Sequence, residues 1–461
     1  MSGALLGEVL ALAMFVGVFS ALMAGFPVAF TLGGVAIAFA FLGSLLGVFD
    51  WPLMASIASR VIDAMVSDTL VAIPLFVFMG VVLERSRIAE DLLITMGQSF
   101  GRLPGGLGYS VVIVGALLAA STGIVGAVVV TMGLISLPAM MRAKYDPALA
   151  SGIITASGTL AQLIPPSTVL ILVGNFLQGA NSQVQSAKGN YSAPPVTVVD
   201  LFAGAMIPGL VLVGLYLLWV AFIAWREPGR CPPIDMSEEE HRTLKKRIFK
   251  VMLPPLALII AVLGSILGGL ATATESASIG AVGAVMLAAA HRQISYPMLR
   301  DACRSTLAIS TMIFVILIGA TIFSLVFRGL GGEKVAEDML SAIPGGAAGA
   351  TLAVLLLMFV LGFFIDTFEI IFIVVPIFAP VLLKLGVEPL WLGVMMGIVL
   401  QTSYLTPPFG FAIFYLQGVA RDLPIKTIYR GVLPFIFLQC VLAGLVWAFP
   451  ELATWLPKKV S

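Results

Sequence analysis

Two pairs of adjacent prolines interrupt this sequence, Pro165–Pro166 in "GTLAQLIPPSTVLILVG" and Pro407–Pro408 in "QTSYLTPPFGFAIF". Proline lacks a backbone N–H and clashes with the preceding turn, so a pair of prolines breaks a helix. Both pairs lie inside apolar stretches, where carbonyls that lose their helical partners need other donors or a cation. The carbonyls released in this way belong to Ala161, Gln162, Ser403 and Tyr404.

Neutral oxygen atoms beside each proline pair predict a site for a hard cation such as sodium. The first copy adds the hydroxyl of Thr159, and the second adds oxygens of Gln401, Thr402 and Thr406. The alternative is a simple kink whose carbonyls are satisfied by neighbouring Ser, Thr or water. Because the motif occurs twice, the cation site is the favoured interpretation.

Two further apolar stretches, 107–141 and 347–385, are too long for one membrane crossing and carry small or polar residues in the middle. The first breaks at Ser121-Thr122-Gly123 and the second near Gly362–Thr367. Glycine permits a tight reversal, so each stretch is predicted to be a helical hairpin that enters the membrane and leaves on the same side. The second half-helix of hairpin 1 would then point its positive N-terminal end into the membrane, which suits an anionic substrate.

Three acidic residues fall in or beside these apolar segments, where ionisable groups are usually functional. Asp366 and Glu369 belong to "GFFIDTFEI" in hairpin 2, and Glu275 belongs to "GGLATATESASIG". A purely structural role is open for each of them. Asp366 and Glu369 would cap the second half-helix of the hairpin, and Glu275 would stabilise a helix N-terminus at the membrane interface.

The composition is that of a polytopic membrane protein. Of the 461 residues, 60% are hydrophobic and 11% are charged, against about 45–50% and about 25% in soluble globular proteins. The net charge of +1 gives no indication of nucleic-acid binding, and the three cysteines lie far apart without metal-ligand spacing. No nucleophile–base pair, phosphate-binding loop or redox motif is found, so the sequence does not indicate an enzyme.

Ten spanning helices are predicted in addition to the two hairpins. Each supplies roughly the 17–25 apolar residues that a bilayer crossing needs, or more where the helix is broken. Their predicted ranges are 4–24, 28–48, 69–85, 147–180, 200–225, 250–270, 275–290, 304–326, 388–417 and 432–449. The segment 51–68 is amphipathic and is predicted to lie along the outer interface of the membrane.

The distribution of positive charge orients the chain. The loops that would be cytoplasmic hold 18 of the 25 Lys and Arg residues. These loops are 84–106, 141–146, 226–250, 291–304 and 418–431. The positive-inside rule then places both termini outside. A hairpin that crossed the membrane would invert every later loop, so hairpin 1 is predicted to enter from the cytoplasm and hairpin 2 from the outside.

The motifs recur at a constant spacing, which predicts an internal repeat. An offset of 242 residues relates the two proline pairs and also relates Pro138 to Pro380. An odd number of crossings separates the copies, so their orientations are opposite. Inverted repeats with interrupted helices are typical of secondary transporters that bind substrate near the bilayer midplane. The predicted organisation is a first repeat at 1–225, a cytoplasmic linker at 226–249 and a second repeat at 250–461.

Several long motifs, in order and over essentially the whole chain, resemble the large membrane (M) subunit of tripartite ATP-independent periplasmic (TRAP) transporters, the DctM-like proteins. They are "ASTGIVGAVVVTMGLISLP", "ASGTLAQLIPPS", "ATATESASIGAVGA", "GFFIDTFEI" and "QTSYLTPPFGFAIFYLQGVA". Ala161 stands where that family usually has Gly, and Ala273 stands where it has Pro. Because both replacements are small, a similar backbone path is expected. The resemblance implies an all-α, elevator-type ion-transporter fold in the bacterial inner membrane.

The resemblance also implies two sodium sites, each between a hairpin and a broken helix. The positions that match site 1 are Ser121, Thr122, Gly158, Thr159 and Pro165. Those that match site 2 are Asp366, Thr367, Thr402, Thr406 and Pro407. The candidate substrate-binding residues at the same breaks are Gly123, Thr168, Gln401 and Ser403.

The implied function is sodium-coupled symport, with import of an organic acid anion (a carboxylate) and with Na+ as the coupling ion. The implied partners are a small four-helix membrane subunit (Q-type) and a periplasmic binding protein (P-type) that delivers the substrate. One alternative is a two-component carrier or an antiporter of the wider ion-transporter group that works without a binding protein. A channel is a further alternative, but paired hairpins and inverted repeats favour alternating access over a continuous polar path.

Overall fold

A computed structural model describes residues 3–86, 88–101, 103–192, 194–233 and 248–460 of the chain. Every regular element in these ranges is helical, as the sequence predicts. The helices are α1 (Gly3–Met23), α2 (Val28–Leu45), α3 (Ser56–Met65), α4 (Asp68–Arg85), α5 (Ile88–Phe100), α6 (Gly106–Thr122), α7 (Val125–Arg142), α8 (Pro147–Thr159), α9 (Thr168–Ala187), α10 (Val198–Arg226), α11 (Leu253–Leu267), α12 (Ala273–Ala290), α13 (Tyr296–Gly329), α14 (Gly332–Ser341), α15 (Gly346–Leu361), α16 (Thr367–Lys384), α17 (Pro389–Leu405), α18 (Phe411–Val419), α19 (Ile425–Ala448), α20 (Glu451–Thr454) and α21 (Pro457–Val460).

The chain is built to span a membrane many times. In the described ranges, nine single helices are long and apolar enough to cross a bilayer, and two bent helix pairs bring the number to as many as eleven. One bent pair joins the segment Trp51–Met65 to α4 at 51°, and the other joins α14 to α15 at 116°. The nine single helices include α7 and α16, which are arms of the two hairpins.

Both predicted hairpins form. Hairpin 1 consists of α6 and α7, separated only by Gly123 and Ile124, and hairpin 2 consists of α15 and α16. In each hairpin the two arms pack against each other. Arms α7 and α16 have the same length of 18 residues and begin at Val125 and Thr367, which are 242 residues apart.

Both predicted broken helices are also found. The first runs as α8 up to Thr159, tightens into a single turn at Leu160–Gln162, and resumes after the prolines as α9. The second runs as α17, stops at Leu405 and resumes as α18. The peptide bond inside each proline pair is cis. Each break therefore leaves a short non-helical segment in an otherwise apolar helix.

Several predicted boundaries are wrong. Helix α9 continues to Ala187, beyond the predicted end of its span at residue 180, and α13 begins at Tyr296 instead of residue 304. Hydropathy marks the apolar thickness of a bilayer, whereas backbone hydrogen bonds continue a helix beyond it. In the predicted linker 226–249, residues 234–247 lie outside the described residues.

Two amphipathic helices were not predicted. Helix α5 lies in the predicted loop 84–106 and packs on α6, and α14 packs on α16 of the second hairpin. Each is followed by a turn at the repeated sequence "LPGG" or "IPGG", where Gly105 and Gly345 have φ of +82° and +100°. Only glycine adopts this left-handed conformation without a steric cost. Both hairpins are thus preceded by a helix and a glycine turn.

The helices form two packed groups. The supporting group consists of α1, α2, α4 and α11–α13, in which α4 packs on α12 and α2 packs on α13. The core group consists of the hairpins, the broken helices, α10 and α19. Its closest contact joins α8 to α19, because a Cβ at Gly152 would lie only 2.1 Å from the carbonyl oxygen of Gly431. The groups meet where α4 touches α6 and α9, and where α13 touches α16.

Candidate cation and substrate site

The tip of hairpin 1 touches the break in the first broken helix. The Thr168 hydroxyl donates a hydrogen bond to the carbonyl oxygen of Gly123 at 2.8 Å. Gly123 has φ of +61°, and a Cβ there would lie 3.2 Å from the carbonyl oxygen of Pro166. A glycine is required at this reversal both by conformation and by the close approach of the second segment. The structure therefore joins two predicted substrate-binding residues, Gly123 and Thr168, directly.

The two hydroxyl residues at this tip are held by their own helix. Ser121 and Thr122 are buried, and both hydroxyls donate to the carbonyl oxygen of Leu118, at 2.9 Å and 3.0 Å. A hydroxyl that has donated its single hydrogen keeps lone pairs on its oxygen. Both side chains can therefore act as neutral oxygen ligands. The supporting group comes very close here, since a Cβ at Gly80 of α4 would lie 2.5 Å from the Cα of Thr122.

The predicted site 1 residues at the end of α8 face two different directions. Gly158 packs against hairpin 1, where a Cβ would lie 2.2 Å from a methyl group of Val129. The Thr159 hydroxyl donates to the Ala156 carbonyl at 2.9 Å and accepts a hydrogen bond from Nε2 of Gln439 at 3.2 Å. Thr159 is thus tied to α19, a contact that the sequence did not predict.

One of the carbonyls released by the first proline pair has a donor within the chain. The Ser167 hydroxyl donates to the main-chain oxygen of Gln162 at 2.9 Å. A carbonyl oxygen has two lone pairs, so this bond leaves one of them for a cation. The side chain of Gln162 extends the other way, and its Nε2 donates to the hydroxyl of Thr367 at 3.0 Å. This bond joins the first break to the tip of hairpin 2.

The acidic residues at the tip of hairpin 2 cap α16. Asp366 and Glu369 form a reciprocal capping box, in which the Glu369 carboxylate accepts from the Asp366 N–H at 3.2 Å. The Asp366 carboxylate also accepts a short hydrogen bond from the hydroxyl of Tyr404. Capping and cation binding use different lone pairs of a carboxylate, so the cap does not exclude a ligand role. Glu275 forms the same capping box with Thr272 at the exposed start of α12, which confirms its structural interpretation.

The other predicted site 2 residues lie around the end of α17. The hydroxyls of Thr402 and Thr406 each donate to a carbonyl four residues earlier, both at 2.7 Å. The Ser403 carbonyl, released by Pro407, accepts from the N–H of Thr406 at 3.1 Å. Hairpin 2 comes close at this point, because a Cβ at Gly362 would lie 2.2 Å from the Ser403 hydroxyl oxygen.

A buried polar cluster behind the breaks was missed from the sequence. Tyr216 of α10 and Gln439 of α19 are both fully buried, and Nε2 of Gln439 donates to the Tyr216 hydroxyl at 2.8 Å. Gln401, the predicted substrate-binding residue of α17, is also fully buried, and its amide makes no hydrogen bond to the described protein groups. Polar residues inside spanning helices are usually functional, and this signal alone would have identified Tyr216 and Gln439.

The chemistry of this centre suits a monovalent hard cation. Its oxygens are mostly neutral hydroxyls and carbonyls, with the carboxylates of Asp366 and Glu369 at the tip of hairpin 2. The described residues contain no group of three or more His, Cys, Asp or Glu side chains that would hold a transition metal. Carbonyl and hydroxyl oxygens are the ligands of hard cations. The residue types at the two breaks are therefore those of a hard-cation site, and sodium binding there stays a prediction.

Broken helices that meet paired hairpins define a secondary-transporter fold. The chain superposes on the YdaH transporter of Alcanivorax borkumensis with a TM-score of 0.61 at 17% identity, covering 86% of this chain and 89% of that one. The family model described as "Tripartite ATP-independent periplasmic transporter, DctM component" matches residues 15–452. The chain therefore belongs to this family, whose members are transport proteins and not enzymes.

Curated relatives cover nearly the whole chain. The sialic acid TRAP transporter large permease protein of Vibrio cholerae is 26% identical over 438 residues, which is 95% of this chain and 96% of the relative. The C4-dicarboxylate TRAP transporter large permease protein of Rhodobacter capsulatus is 27% identical over 444 residues, with the same coverage. The similarity thus includes both hairpins and both broken helices.

Proposed function

We propose that this chain imports an organic acid anion across the bacterial inner membrane, coupled to the entry of sodium. The observation that carries the proposal is the meeting of each hairpin tip with a broken helix, through the Thr168–Gly123 bond and the close approach of Gly362 to Ser403. Hydroxyl and carbonyl oxygens line both contacts. A cation bound at these contacts would hold a hairpin closed on its broken helix, and this links sodium binding to substrate enclosure.

A carboxylate is the substrate class that the proposal names. The two relatives described above are named for sialic acid and C4-dicarboxylates, which are both carboxylic acids. At hairpin 1, α7 begins directly after Gly123 and Ile124. Its first N–H groups and the positive end of its dipole face the break, and such helix ends favour anions.

Alternating access would occur by movement of the core group against the supporting group, as in an elevator. The groups are in contact where α4 meets α6 and α9, where α13 meets α16, and where α11 meets α6 and α10. The two sodium sites and the hairpins all belong to the core group. They would therefore move together, as one packed body.

The proposal includes two partners, a small four-helix membrane subunit and a periplasmic binding protein. The test is reconstitution in liposomes with an inward sodium gradient, in which uptake of labelled succinate, lactate, pyruvate and sialic acid is measured with and without each partner. The expected result is uptake of one acid that needs sodium and both partners. Robust sodium-driven uptake by this chain alone would favour the two-component carrier, and sodium-independent equilibration without accumulation would favour a channel.

A further inference from the structure

A large cavity lies between the supporting group and the core group. Its volume is about 670 Å³, and its walls come from α3, α4 and α13 on one side and from α9 and α16 on the other. Small-molecule sites have volumes of about 300–1,000 Å³. None of the candidate sodium or substrate residues lines it, so it is separate from the centre described above.

Two arginines face this cavity. Arg60 belongs to α3, and Arg328 lies in the last turn of α13, where its guanidinium donates to the carbonyl oxygen of Pro376 at 3.4 Å. Both arginines contribute to the lining of this one cavity. Among the described residues, neither arginine belongs to an ion pair. Both guanidinium groups therefore keep N–H donors for a ligand.

Among the residues that line the cavity, the basic charge exceeds the acidic charge. Asp63 lines the cavity and is exposed. Glu333 lies close to Arg328 but does not line the cavity, and it shares the ammonium of Lys384 with Glu337, at 3.0 Å and 3.1 Å. Two guanidinium groups against one aspartate leave the walls with a net positive charge. In a cleft with apolar surroundings, such a charge attracts anions.

The remaining polar lining can donate hydrogen bonds. Asn175 and Gln178 contribute amide groups from α9, and Ser324 contributes a hydroxyl from α13, whereas the Thr321 hydroxyl already donates to the Leu317 carbonyl at 2.8 Å. Amide N–H groups and hydroxyls complete the hydrogen bonding of a carboxylate whose charge is neutralised by arginine. The donors come from both helix groups, so an anion held here would contact the supporting group and the core group together.

We propose that this cavity is a vestibule that binds a small carboxylate before it reaches the hairpin tips. The inference rests on the proposed import of an organic acid anion and adds a second, earlier binding site with Arg328 and Arg60 as its charged groups. Both arginines belong to the seven cations that the charge distribution places outside. The vestibule would therefore receive the substrate on the side from which it is imported.

The test measures the charge selectivity of the cavity with a reporter thiol. Ser324→Cys is introduced into a variant without the native Cys231, Cys303 and Cys440, and the full complex with its small subunit is purified. The rates of modification by a negatively charged sulfonatoethyl and a positively charged trimethylammonioethyl methanethiosulfonate are compared. Ser186→Cys, an exposed position near the end of α9 that does not line the cavity, is the control reporter.

The anionic reagent should be favoured at the Ser324 position and not at the Ser186 position. Arg328→Gln should lower the ratio of the anionic to the cationic rate by about a hundredfold, because one unit charge at about 12 Å and an effective dielectric constant of about 20 changes each of the two rates about tenfold, in opposite directions. Lys334→Gln removes a positive charge outside the cavity and should leave the ratio unchanged. Arg60→Gln repeats the test at an exposed residue if the Arg328 variant fails to fold.

Succinate or another small carboxylate should slow modification by the anionic reagent in the wild-type arginine background and not in Arg328→Gln. Unchanged rate ratios in both arginine variants would overturn the proposal. Protection by the periplasmic binding protein, without protection by any free carboxylate, would also overturn it and would assign the arginines to protein docking. Thiol modification needs neither sodium nor uptake. If labelling is charge-selective but sodium-driven uptake fails, only the proposed function is refuted.

Discussion

The bond between Gln162 and Thr367 allows a quantitative test of communication between the two candidate sodium sites. Nε2 of Gln162 lies 3.0 Å from the Thr367 hydroxyl, and the two side chains are 1% and 3% exposed. Gln162→Leu removes a buried hydrogen bond with a net value of about 0.5–1.5 kcal/mol and leaves the hydroxyl without its donor. The free energy lost in this way is about 2 kcal/mol in total. If all of it weakens sodium binding, the half-saturating sodium concentration rises by about thirtyfold.

The assay is the unfolding temperature of the purified complex as a function of sodium concentration, with choline replacing sodium at constant ionic strength. A ligand that binds only the folded state stabilises it by RT ln(1 + [L]/Kd), so a fit of the unfolding temperature against sodium concentration gives the sodium dissociation constant, here called the sodium midpoint. Gln417→Leu makes the same replacement on α18, outside both candidate sites, and should leave the sodium midpoint unchanged. In the double variant Gln162→Leu/Thr367→Val, the loss of sodium affinity should be smaller than the sum of the losses in the two single variants. The reason is that the double variant leaves no buried polar group without a partner. A folded Gln162→Leu protein with the wild-type sodium midpoint would refute the reasoning.

Three further predictions concern the candidate sites and their support. Thr159→Ala removes one oxygen among several, so the sodium concentration for half-maximal uptake in proteoliposomes should rise by several-fold without loss of folding, as judged by size-exclusion chromatography. Asp366→Asn keeps the helix cap, since Asn caps as well as Asp; sodium dependence should weaken if the charge is a ligand, and unchanged uptake would leave Asp366 as a cap only. Gly152→Ala would place a Cβ 2.1 Å from the Gly431 carbonyl and should destabilise the protein by about 1–3 kcal/mol in thermal unfolding. Gly214→Ala, with open space around it, is the matched control and should cost nothing.

The sequence determined the elements that carry the site. Proline pairs remove helical donors wherever they occur, so both helix breaks follow from Pro165–Pro166 and Pro407–Pro408 alone. The reversal at Gly123 follows from a local conformational preference, and the capping roles of Glu275 and Asp366 follow from the residues three positions away. Local rules of this kind depend only on neighbours in the chain, and for this reason the order of hairpins and broken helices was predicted correctly.

The sequence placed the candidate ligands at the hairpin tips and the helix breaks, but it did not assign their contacts. Thr159 was grouped with the tip of hairpin 1, whereas the structure ties its hydroxyl to Gln439, 280 residues away. Ser167 was not considered, although its hydroxyl fills one lone pair of the Gln162 carbonyl. A hydroxyl or amide in an apolar run signals that a polar partner is needed, and the run itself does not identify that partner.

Only the tertiary structure decided how the two repeats combine. The second half of each broken helix packs against the hairpin of the other repeat: α9 lies on α16, and α18 lies on α7. The Gln162–Thr367 hydrogen bond also joins the first broken helix to hairpin 2, between residues that are 205 positions apart in the sequence. The physical reason is that apolar helix faces in a membrane carry little information about their partners. The choice between them rests on close packing at glycines and on buried polar bonds that form only when all the helices are assembled.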